Sequence, residues 1–131
     1  MHGDLGPEHP ETLAVRMLRT SVLNHLGRFD EALQEINDRS QDKPPLLTTL
    51  RRVRGDEHPD TLATWGFQAD CLFRLERYED PLRETDGLLP IMERVRGNEH
   101  HETLALRVLR SMILDKSRLR SLNPTYLPKY V

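Results

Sequence analysis

One nine-residue block occurs three times in this chain, and the recurrence limits the available folds more than any other feature. Gly6-Pro7-Glu8-His9-Pro10-Glu11-Thr12-Leu13-Ala14 returns as Gly55-Asp56-Glu57-His58-Pro59-Asp60-Thr61-Leu62-Ala63 and again as Gly97-Asn98-Glu99-His100-His101-Glu102-Thr103-Leu104-Ala105. The histidines are spaced by 49 and then 42 residues. A second block, Leu26-Gly27-Arg28-Phe29-Asp30-Glu31-Ala32-Leu33, aligns with Leu75-Glu76-Arg77-Tyr78-Glu79-Asp80-Pro81-Leu82. Its aromatic residue follows the block histidine by 20 positions in both copies. A third block, Arg52-Val53-Arg54-Gly55, returns as Arg94-Val95-Arg96-Gly97. Three blocks in one order describe a repeated unit, and repeated units of this length bury their apolar faces by stacking on one another.

Each unit reads as two helices. Pro10 and Pro59 suit the first helical position, where a missing N–H is harmless. Glu11 and Asp60 then oppose the helix dipole. Gly27 permits a left-handed end to the first helix, and Glu76 is a poorer terminator in the same place. Asp80-Pro81 reads as an N-cap followed by a first-position proline. The second helix stops at Gly55 or Gly97 behind a basic last turn. These signals predict helices near 10–26, 29–40, 46–54, 59–75, 80–95 and 101–120. The first unit carries a seven-residue excess around Gln41-Asp42-Lys43-Pro44-Pro45. Two adjacent prolines cannot continue a helix, so its second helix is expected to break there and restart near Leu46. Gly87 and Pro90 predict a bend in the second unit. The segment 123–131, with Asn123-Pro124 and Pro128, is not helical as written.

Composition agrees with helices. Aromatics are 5% of the chain, apolar residues 37% and charged residues 31%, which fits an all-α protein better than a sheet. It excludes collagen-like, disulfide-stapled and low-hydrophobicity disordered chains. The net charge of −2 withholds the general attraction to nucleic acid. Arg outnumbers Lys 16 to 3, which suits an acidic peptide partner, although codon bias in a GC-rich genome is the favoured reading. Cys71 is the only cysteine, and its neighbours Leu72 and Phe73 make it a small core residue. No signal pattern or membrane-length apolar run is present, so the expectation is a cytoplasmic protein with no membrane contact.

The blocks resemble the tetratricopeptide repeat, in the long variant of kinesin light chains and of bacterial regulators. The resemblance rests on the Gly-x-Glu-His-Pro-Asp-Thr-Leu-Ala blocks, on 27–33 and on 77–80, and covers about residues 3–114. Period alone also suits HEAT or armadillo repeats, but the Gly-Arg-Phe/Tyr step argues for tetratricopeptide. The resemblance implies a short α-solenoid with two full repeats plus an unpaired first helix. Its domain is 1–122, with repeats at 6–54, 55–96 and 97–122, followed by a 123–131 tail bearing Tyr126 and Tyr130. It implies a non-catalytic module binding a peptide or protein along the first helices. Carried over by position, that groove holds Met17, Ser21, Asn24 and His25, then Gly66, Asp70, Phe73 and Arg74, then Val108, Met112 and Asp115. One departure concerns Arg19, Gln68 and Arg110, which stand where the family prefers Leu, while Leu18, Phe67 and Leu109 stand beside them. A stripe rotated by one residue would turn that row into the groove and make it basic.

No nucleophile elbow, phosphate loop or His-Glu-x-x-His pair is present, and no catalytic residue or cofactor is assigned. His9, His58 and His100 lie one unit apart and read as turn and cap residues with no shared metal, since ligands must converge on one ion. Trp65 reads as core. The third first-helix lacks a following partner, so Leu106, Val108, Ile113 and Leu114 are expected to form a self-association face. A second copy is favoured there over the tail or a further stretch of chain. A third reading is an accessory protein holding a substrate peptide for a separate enzyme.

Overall fold

The computed structural model describes residue 6 and residues 8–37, 44–77 and 79–122. It has six helices in these regions: α1 (Pro10–His25), α2 (Phe29–Asn37), α3 (Leu46–Arg54), α4 (Pro59–Arg74), α5 (Glu79–Arg96) and α6 (His101–Leu122). No strand occurs among the described residues, and no helix is long and apolar enough to cross a membrane. Tyr78, the segment 38–43 and the 123–131 tail lie outside them.

The repeated blocks act as helix punctuation. His9, His58 and His100 each accept, through Nδ1, the backbone N–H two residues on, from Glu11, Asp60 and Glu102. The imidazole thereby satisfies one of the donors that a helix start leaves orphaned. Pro10 and Pro59 follow at the opening of α1 and α4. At the other end Gly27 has φ 76°. The Arg28 N–H reaches Leu23 O at 2.9 Å and the Gly27 N–H reaches Asn24 O at 3.0 Å, the paired closure of a left-handed cap. The second unit makes the same closure, Arg77 to Leu72 and Glu76 to Phe73, although Glu76 must hold φ 66°. The cap is thus imposed by the turn and not by its residue. Glu76→Gly should raise stability by about 0.5–1 kcal/mol, the relief of left-handed strain less the entropy given to the unfolded chain. Urea denaturation checks this, and an unchanged midpoint would refute it.

The interruption at Pro44-Pro45 is real: α2 ends at Asn37 and α3 begins at Leu46. Register is nevertheless regained. Leu46 and Leu50 of α3 are buried with Leu13 of α1, and 42 residues later Leu88 and Met92 of α5 are buried with Leu62 of α4. Two short helices therefore do in the first unit what α5 does alone in the second. At Gly87 and Pro90, where a bend is expected, α5 stays one helix with Pro90 inside it. Leu88 and Met92 flank that proline and enter one cluster, which holds the helix across the lost hydrogen bond. Asp80 lies in the first turn of α5 and is not its N-cap, because the helix starts at Glu79.

Helix α1 packs on α2 and α3, α4 packs on all three and on α5, and α6 packs on α5 and α4. Helices α1 and α6 do not touch. The Arg-Val-Arg-Gly blocks clasp the helix ends: Arg52 pairs with Glu8 and Arg94 with Glu57, while Arg54 pairs with Asp60 and Arg96 with Glu102. The Arg94 hydrogen bond holds the Glu57 carboxyl below the ordinary range. Such exposed pairs order the turns more than they stabilise the fold.

Candidate functional site

A groove runs across α1, α4 and α6. Its apolar part, about 380 Å³, lies between α4 and α6 and is lined by Leu62, Ala63, Gly66, Phe67, Ala105, Leu106 and Leu109, with Met92 of α5 and two acids, Asp70 and Glu102. Its polar part, about 430 Å³, lies between α1 and α4 and is lined by Asn24, His25, Gly27, Phe29, Phe67, Asp70 and Arg74. Phe67 and Asp70 belong to both. They stand on one face of α4 because they are three residues apart.

The polar end is organised by Asp70. Its carboxylate accepts from Arg74 Nε at 3.2 Å and from Asn24 Nδ2 at 3.5 Å. His25 Nδ1 lies 2.8 Å from Ser21 O. Four residues expected in the groove, Asn24, His25, Asp70 and Arg74, thus line one cavity. Arg74 is half exposed and can present its guanidinium to a carboxylate. Cys71, beside Asp70, is fully buried with Leu23 and Ala32. Burial, with Asp70 adding, pushes its thiol up to about 12. Iodoacetamide at neutral pH should therefore leave Cys71 unmodified in the native chain and alkylate it in urea; labelling of the native chain would refute this.

Other expected site residues lie elsewhere. Phe73 is buried with Ile113, and Met17 packs on Leu13, Leu46 and Leu50. Neither lines the groove. Val108, Met112 and Asp115 are exposed on α6. The row Arg19, Gln68 and Arg110 does not enter the groove. Arg19 faces Glu35 of α2, Gln68 is buried and donates to Glu84 of α5, and Arg110 donates to Asp86 of α5. The polar row is a tie between first and second helices, so it leaves the groove without a basic stripe. Of the expected self-association face, Leu106 and Ile113 are buried against α4 and α5 side chains, whereas Val108 and Leu114 are exposed.

Sequence reasoning passed over Phe67 as a groove residue and Arg16 with Glu35 as a buried pair. The signal for Arg16 was its place among Leu13, Thr20 and Leu23 on the buried face of α1. Trp65 is half-buried as a core neighbour; its Nε1 donates to Glu84 at 2.8 Å and the Arg51 guanidinium lies 4.6 Å above its ring. His100, His101 and Glu102 bring ligand-type atoms within 4.8 Å of one another. His100 Nδ1 accepts a backbone N–H and Glu102 faces Arg96, while the His101 ring stacks on that of His100 at 4.4 Å and Glu102 Oε1 is buried without a hydrogen-bond partner.

No protein-family model matches the chain, and neither the curated proteins nor the solved structures yield a match.

Proposed function

We propose that this chain is a non-catalytic protein-interaction module, a short α-solenoid of tetratricopeptide-like hairpins that holds a peptide or protein segment across α1, α4 and α6. The observation that carries the reading is the pair of adjoining cavities, one apolar between α4 and α6 and one bearing Asn24, Asp70 and Arg74, which share Phe67 and Asp70 as lining. A floor of Leu, Ala and Phe takes an apolar side chain. The polar end takes a backbone amide or carboxylate.

Selection from a random peptide library should yield sequences pairing an apolar residue with a carboxylate. Phe67→Asp should abolish their binding and Arg74→Ala should weaken it about tenfold, since hydrogen bonds to charged groups contribute about 1.5–3 kcal/mol. Selected peptides that bind Phe67→Asp as well as the parent would sink the reading. A second reading, self-association, is favoured by Val15, Leu18, Val22 and Leu26, an exposed apolar row along α1. Sedimentation at micromolar concentration, with Leu18→Glu as the control, decides it.

A further inference from the structure

The second unit lacks one apolar side chain that the first unit carries. By the 49-residue offset of the histidine blocks, Gly66 of α4 stands where Met17 stands in α1. Met17 packs on Leu13, Leu46 and Leu50. The matching floor in the second unit is Leu62, Leu88 and Met92, and position 66 sends nothing over it. A Cβ at Gly66 would meet its nearest side chain beyond the adjacent residues, that of Leu88, only at 4.0 Å. The apolar cavity of about 380 Å³ opens at this place, with Leu62, Gly66 and Met92 in its lining. A cavity of about 150 Å³ already takes benzene, so this one has room for a substituted ring.

Two polar side chains line the cavity, Asp70 and Glu102, and both are acceptors. Each already faces an arginine. Asp70 accepts from Arg74 and Asn24, and Glu102 Oε2 accepts from Arg96 at 3.3 Å. Glu102 Oε1 differs from these oxygens, for it is buried and has no hydrogen-bond partner. A buried acceptor left unpaired is costly, and native chains seldom keep one without a use. The cavity therefore wants an N–H or O–H and not a further charge.

We infer that this cavity receives one aromatic side chain ending in a neutral donor, tyrosine or tryptophan, whose O–H or N–H is given to the Glu102 carboxylate. The inference rests on the groove reading and names the residue that the apolar end takes from the bound segment. Leucine and alanine walls with the Phe67 ring suit an aromatic face. Buried tyrosine and tryptophan find a partner for their polar atom, and Glu102 offers one. Lysine or arginine is a poorer occupant, because Arg74 and Arg96 already face the two acids. A carboxylate is poorer still, since no lining side chain donates.

The probes are p-cresol and indole, which carry the donors of tyrosine and tryptophan. Toluene, the methyl ether of p-cresol and benzylamine are the controls. Each is titrated into the full isotope-labelled chain while the amide resonances of Ala63, Gly66 and Ala105 are followed. The donor-bearing probes should saturate the shifts, with p-cresol at least about tenfold tighter than toluene or its own methyl ether, because those leave the acceptor unpaired. Gly66→Met should abolish the binding, since methionine then covers the floor as Met17 does in α1. It also removes a glycine from mid-helix, so the thermal midpoint should not fall. The comparison of probes on the parent chain needs no variant and decides the matter even where Gly66→Met unfolds. Equal binding of toluene and p-cresol overturns the inference and leaves an apolar groove in place. Tighter binding of benzylamine overturns it by making the site one for cations. Probe binding that survives Gly66→Met in a folded chain, or no saturable binding by any probe, overturns it as well. The groove reading is judged separately: selected peptides lost on Phe67→Asp but kept on Gly66→Met uphold the groove and remove this occupant.

Discussion

Glu35→Ala should destabilise the chain by about 3–5 kcal/mol, the usual consequence of removing one partner from a buried ion pair. Arg16 and Glu35 are both buried, and the guanidinium binds the Glu35 carboxylate through Nε and the Glu35 backbone carbonyl through Nη2. Arg19, which is exposed, lies 3.5 Å from the other carboxylate oxygen. Removing the carboxylate strands the Arg16 charge between α1 and α2, where water cannot replace its partner. The double variant Arg16→Met with Glu35→Leu should recover most of that loss, because an apolar pair of similar volume avoids both desolvation terms. Urea denaturation of the two variants side by side is the measurement. A loss under 1 kcal/mol for Glu35→Ala would mean that the pair is solvated in the native chain.

Leu62→Ala should cost about 2–5 kcal/mol. Leu62 is fully buried in a cluster with Leu88 and Met92 of α5 and Leu106 of α6, with Trp65 packed beside them. Through it, as through Phe73, α4 meets both later helices. Truncation leaves a cavity that Gly66 and Ala63 are too small to fill, and it widens the apolar end of the groove that Leu62 lines. Leu106→Ala removes the facing side chain, so the two losses should fall short of additivity by at least about 0.5 kcal/mol. Strict additivity in thermal or urea unfolding would show that α4 and α6 do not share this core.

Much of the helical layout was legible because its signals are local. A proline at the first helical position, a glycine after the last turn and two adjacent prolines between helices act through φ and through missing N–H groups. They work whatever surrounds them, and α1, α3 and α4 begin where those residues place them. The capping role of the histidines followed from their repetition, since three equivalent residues one unit apart cannot share an ion. At Pro90 the flanking Leu88 and Met92, both buried in one cluster, keep α5 a single helix across one lost hydrogen bond.

The rotation of each helix about its own axis was not legible. The row at 19, 68 and 110 was readable either as a wall of the groove or as a tie to the next helix. Only Glu35, Glu84 and Asp86, brought in from 16 to 24 residues away in sequence, settle that it is a tie. Leu106 and Ile113 were inseparable from Val108 and Leu114 by pattern, because α6 is apolar around much of its surface. The first pair is buried by α4 and α5, and the second lies on the side that no described helix covers. The sequence by itself determined that the chain is helical, where most helices start and stop, and which positions correspond between units. Tertiary structure decided which face of each helix is inside. Burial there depends on partners far along the chain, and a helix turning about 100° per residue offers several nearly equivalent faces until one of them is covered.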